Sequence, residues 1–101
     1  MNEVEIFKWL EPVEDPELFL SIVGLGLVYS AIYDGETRSA NVKMTLTSPA
    51  CPMGDYIVEE VRKRLVENEL IDSAKVEVVW EPKWDPKEMA SEDVKEELGI
   101  W

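Results

Sequence analysis

The sequence predicts an α+β fold: a two-layer sandwich in the order α-β-β-α-β-α, with helices on one face of a three-stranded mixed sheet. Three observations predict it. Leu27–Tyr33 and Ser39–Thr47 have strand composition or alternation and are joined by an Asp34-Gly35 turn signal. Pro52 to about Asn68 repeats apolar residues at helical spacing: Met53, Ile57, Val61 and Leu65. Lys75–Trp80 returns to alternation, with Val76, Val78 and Trp80 on one side. Strands that alternate bury one sheet face and leave the other polar. The polar face is expected to carry Asn41, Lys43, Thr45, Lys75 and Glu77.

Each element has a local cause. Asn2–Leu10 reads as a short amphipathic helix with Val4, Phe7 and Leu10 on its apolar stripe, and Pro12 stops it. Asp15-Pro16-Glu17 combines a capping residue, a first-position proline and an acidic first turn. It is expected to open one helical turn, Glu17 to Val23, that Gly24 ends; Gly26 then bends the chain into the first strand. That strand and the next form an antiparallel hairpin, and the loop between them runs to Ser39. In the long helix Val58 and Val66 widen the stripe. Asp55, Glu59 and Glu60 lie early and Arg62, Lys63 and Arg64 late, which suits the helix dipole. Pro82 and Pro86 flank Trp84, and Ser91, Glu92 and Asp93 start a last short helix that Gly99 stops.

The 101 residues suit a single domain, 1–101, and 46% hydrophobic composition can supply its core. A net charge of −12 disfavours nucleic-acid backbones and anionic membranes, because the only basic cluster is Arg62-Lys63-Arg64. No apolar run is long enough to span a bilayer. Glu3 and Glu5 argue against a signal or transit peptide, so the expected location is cytoplasmic. There is no histidine and one cysteine. Those counts remove Cys-His and Ser-His-Asp nucleophile systems, histidine metal sites and internal disulfides.

The cysteine sits in Met44-Thr45-Leu46-Thr47-Ser48-Pro49-Ala50-Cys51-Pro52, where a strand hands over to a helix. Pro52 suits the first helical position, which makes Cys51 the expected N-cap, facing unpaired N–H groups. Such a place favours the thiolate, a nucleophile or metal ligand. A buried, unreactive cysteine is the alternative. Asp15 and Glu17 serve a helix start in their own right. Thr47 and Ser48 can satisfy backbone groups in the turn. Trp80 and Trp84 read as packing residues, and Trp9 and Trp101 lie near the termini.

Five landmarks in order resemble a small iron–sulfur cluster assembly domain family, which includes SufT-type maturation factors, PaaD-type proteins and a component of the eukaryotic cytosolic targeting complex. They are Asp15-Pro16-Glu17-Leu18, Leu25-Gly26-Leu27-Val28-Tyr29, the Met44–Pro52 run, Val78-Val79-Trp80-Glu81-Pro82-Lys83-Trp84, and Met89 with Leu98-Gly99. The chain departs from the family pattern at Gly24, where an acidic residue is common, at Lys83, often a proline, and at Ser48, usually threonine. The resemblance implies a shallow pocket between the Asp15–Leu18 turn and the Thr47–Cys51 loop. Asp15, Glu17, Thr47, Ser48 and Cys51 are its candidate binding residues, with Cys51 the metal ligand.

The resemblance implies a non-enzymatic adaptor or transient carrier that helps deliver clusters to apoproteins. Its partners would be iron–sulfur assembly proteins and the recipients. Conventional clusters take about four protein ligands, so one chain with one thiol would hold no cluster tightly; a homodimer would offer two. The alternative is a protein-interaction module with a structural cysteine and no cluster. Use of Cys51 as an enzymatic nucleophile ranks last, because no histidine can activate it.

Overall fold

Helix α1 (Glu3–Leu10) starts at Asn2, whose side-chain oxygen accepts from the Glu5 N–H while the Glu5 carboxylate accepts from the Asn2 N–H. This reciprocal pair satisfies two donors that a helix start leaves open. The computed structural model that reveals it describes residues 1–47 and 53–99. Ile6 and Leu10 form the buried line of α1, one turn apart, with Phe7 half-buried beside them. Val4, expected on this stripe, is exposed. It sits two residues from Ile6, about 200° around the axis.

The expected helical turn at Glu17–Val23 is a small hairpin instead. β1 (Glu14–Asp15) pairs antiparallel with β2 (Leu20–Ser21). The Asp15 carboxylate accepts the N–H groups of Glu17 at 2.8 Å and Leu18 at 3.2 Å, and the Asp15 carbonyl accepts that of Phe19 at 2.7 Å. Those bonds would also begin a helix. Phe19 ends that path by adopting φ 58°, the left-handed region. Ser21 Oγ then takes the N–H groups of Val23 and Gly24, so Gly24 lies inside a second turn and ends no helix.

β3 (Val28–Asp34) and β4 (Ser39–Met44) are antiparallel, with a register shift between Val28 and Ser30. The Asp34 carboxylate organises the loop between them by accepting from Glu36 and Thr37. β5 (Ser73–Val78) runs parallel to β4. The order β3-β4-β5 is the expected three-stranded mixed sheet. β4 stops at Met44, short of Thr47, and this moves Thr45. Expected on the polar face, Thr45 is buried; its N–H bonds to the Leu27 carbonyl and its side chain to Tyr29. Trp80 also lies past the end of its strand, and at 44% exposure it leaves the buried line that Val76 and Val78 begin.

Helix α2 (Gly54–Val66) buries Ile57, Val61 and Leu65 against the sheet, as its i+4 spacing predicts. Its N-cap is Met53, with no side-chain capping bond, so the expected Cys51 cap and Pro52 first position are corrected by two residues. A Cβ on buried Gly54 would stand 2.8 Å from Leu46 Cδ1, so glycine lets the first turn approach Leu46 closely. Trp9 and Arg64 tie α1 to α2 reciprocally. Trp9 Nε1 donates to the Arg64 carbonyl, Arg64 Nε donates to the Trp9 carbonyl, and the guanidinium carbon lies 3.7 Å from the indole centroid.

After β5 the chain crosses back over the end of the sheet. It forms α3 (Pro86–Met89), which the sequence did not announce, and α4 (Glu92–Leu98), capped by Ser91 and closed by Gly99 in the left-handed region. Three hydrogen bonds of 2.8 Å dock this tail: Trp84 Nε1 to the Leu25 carbonyl, the Ser91 N–H to the Gly24 carbonyl, and the Tyr29 hydroxyl to the Pro82 carbonyl. Gly26, at φ 80°, allows the closest approach: a Cβ there would lie 2.6 Å from the Met89 carbonyl carbon.

Candidate functional site

Asp15 is 2% exposed, and its carboxylate is committed to the turn it organises. It lines a groove of about 400 Å³ between the β1–β2 turn and one flank of α2. Tyr56, Glu60, Arg64 and Glu67 supply the α2 wall; Glu14, Pro16 and Phe19 face them. Glu14, Asp15, Glu60 and Glu67 make the groove acidic. Arg64, the one cation lining it among the described residues, is held by the Trp9 carbonyl and ring. Phe19 stands at its rim, 74% exposed, because the left-handed turn points it outward. Glu17 is exposed and does not line this groove. Its N–H serves Asp15, and with no helix there it has no dipole to complement.

Thr47 is half-buried and lines a second groove with Thr45, Trp80, Glu81, Lys83 and Trp84. This groove depends on the docked tail, which brings Trp84 beside the end of β4. Burial pushes the nearby Tyr29 hydroxyl above its ordinary pKa, and its hydrogen bond with Thr45 opposes that rise in part. Among the described residues, Asp15 and Thr47 line separate grooves. Ser48 and Cys51 lie outside the described residues. They belong to the segment joining Thr47, a wall of the second groove, to Met53, which leads into the helix walling the first. Among the described residues, no three acidic or cysteine side chains gather as a metal site.

The Tyr56–Glu60–Arg64 wall was missing from the sequence reading. Its members run along the flank of α2 beside the apolar stripe, about 100° around the axis from its centre, where polar residues ordinarily read as solvated. The signal was Tyr56, a large aromatic in the first turn of that flank.

Residues 3–78 match the family described as iron–sulfur cluster assembly protein. The chain belongs to that family. It is 46% identical over 88 residues to the Fe–S protein maturation auxiliary factor SufT of Staphylococcus aureus, covering 87% of this chain and 98% of that protein. It is 37% identical over 99 residues to an Fe–S protein maturation auxiliary factor of Porphyromonas gingivalis, covering 98% and 92%. The crystal structure of a domain of unknown function, DUF59, from Bacillus anthracis superposes with a TM-score of 0.88 at 43% identity, covering 98% of this chain and 92% of that one. The α+β architecture is thus that of an iron–sulfur cluster assembly domain. Gly24, where this chain departs from the family pattern, has a local reason. A Cβ there would lie 2.9 Å from Val94 Cγ2, so glycine lets α4 settle onto the turn. Among the described residues, no helix is long and apolar enough to cross a membrane.

Proposed function

We propose that this chain acts in iron–sulfur protein maturation, as a cytoplasmic adaptor or transient carrier that helps deliver clusters to apoproteins and catalyses no reaction itself. The observation that carries this reading is the nearly full-length relation, at 46% identity, to a protein named as an Fe–S protein maturation auxiliary factor. The chemistry of the chain supports it. The soft sulfur of Cys51 suits iron–sulfur cargo, while Thr47, Ser48, Asp15 and Glu17 offer only harder oxygen donors. One thiol against the roughly four ligands of a conventional cluster favours hand-off over storage. The acidic groove at Asp15 offers assembly proteins and recipients a place to dock. The competing reading, an interaction module with a structural cysteine, gives that groove the whole function.

Cys51→Ser separates the two. The measurements are the thermal midpoint of the variant and the activity of iron–sulfur enzymes in cells that rely on it. The expected result is an unchanged midpoint with lost enzyme maturation. A folded variant that supports full maturation would remove the carrier role and leave the adaptor.

A further inference from the structure

We infer that the outer edge of β5 pairs with the same edge of a second copy, joining two three-stranded sheets into one six-stranded sheet. The inference stands apart from the maturation role, and either can fail without the other.

The two edges of the sheet are not alike. On the β3 edge the Ala31 N–H donates to the Glu3 carboxylate at 3.2 Å, so α1 occupies a donor that another strand would need. On β5, the Ser73 N–H reaches the Arg38 carbonyl and the Val79 N–H the Met44 carbonyl, both toward β4. Strand alternation then turns the backbone groups of Ala74, Val76 and Val78 outward. Among the described residues these groups have no hydrogen-bond partner, and no element covers them.

The side chains of this edge are self-complementary. In an antiparallel pairing centred on Val76, each Val76 faces its own copy and Ala74 faces Val78. These are the outward-directed residues, so they make the hydrogen-bonded pairs. Lys75 then faces Glu77 twice, at the non-hydrogen-bonded positions where side chains come closest. Within one chain Glu77 already stands beside Lys43, and Lys75 beside Asn41. Each Glu77 would therefore lie between two lysines. On this face Lys43 and Lys75 outnumber Glu77, so the edge carries a small positive excess on a chain of net charge −12, which lessens repulsion between two copies there. A two-fold axis through Val76 is the closed, isologous arrangement that dimers favour. A heterologous strand would match this charge order only by sharing it.

The test is analytical ultracentrifugation of the full chain from about 10 μM to about 1 mM, since a short strand edge makes a weak interface. Hydrogen exchange of the β5 amides is read at both ends of that range. The wild type is expected to pass from the mass of one chain to that of two, with the Ala74, Val76 and Val78 amides gaining protection only when concentrated. Lys75→Glu should weaken association at least about tenfold by setting like charges opposite each other. Lys87→Glu makes the same charge change on α3 and should leave association intact. The double exchange Lys75→Glu with Glu77→Lys should restore most of it. A single-chain mass throughout overturns the inference. So does a dimer indifferent to Lys75→Glu, or one that the double exchange fails to rescue.

Discussion

The α2 side of the molecule and the turn-and-tail side are held together differently. On the α2 side, Ile57, Val61 and Leu65 press on Val42, Met44 and the half-buried Val76 and Val78. The attachment is apolar area, non-directional and tolerant of shape. On the other side, residues 82–98 close over residues 22–29. Ile22, Leu25 and Leu27 are buried there too, but the tail is positioned by donors aimed at the carbonyls of Gly24, Leu25 and Pro82. That attachment depends on where the main chain runs. The first region should fail through side-chain chemistry and the second through backbone geometry.

Val61→Asp is the largest way to break the comparison. It buries a charge with no partner in the shared core and should cost roughly 4 kcal/mol or more. Both regions should melt together, well below the wild-type midpoint. A midpoint that does not move would overturn the packing described for α2.

Gly26→Ala should cost less, about 2–4 kcal/mol, from a left-handed backbone and a collision with Met89. Its effect should be regional. Hydrogen exchange across residues 84–98 should accelerate while the amides of α2 keep their protection. Equal loss in both regions would show that tail docking and core packing are one cooperative unit.

Tyr29→Phe is the finest probe. Loss of the bond to the Pro82 carbonyl should cost about 1 kcal/mol near neutral pH. Burial raises the Tyr29 pKa in the folded chain, so the unfolded chain ionises first, near about pH 10. The hydroxyl's contribution is therefore complete below that pH and lost as the pH rises toward the folded value. The stability gap between wild type and variant should shrink above about pH 10. A constant gap would mean the hydroxyl does not anchor the tail.

The same contrast explains what the sequence disclosed. The α2 stripe, the hairpin and the returning strand were legible because side-chain periodicity encodes them. Asp15-Pro16-Glu17 misled because its capping bonds open a helix and a tight turn equally well; a single backbone angle at Phe19 decides between them. Thr45 misled because alternation continues in the letters after the ladder has stopped. α2 starts at Gly54, two residues later than the prolines suggest. Of the candidate site, Asp15 and Thr47 each line a groove. That these are separate grooves among the described residues follows from how α2 and the tail pack, which no local pattern records. Ser48 and Cys51 are candidates by their chemistry and the family resemblance, and they lie outside the described residues.

The approach of Gly26 to Met89 carries a genetic consequence. The obstacle to any side chain at position 26 includes a main-chain carbonyl, which every residue at position 89 would present. Exchanging Met89 for something smaller should therefore not compensate a substitution at Gly26. Suppressors of Gly26→Ala selected in a population should instead be changes of length, insertions or deletions between about residues 80 and 88 that let the tail take another route. A position constrained in this way coevolves with loop length and not with the identity of its neighbour.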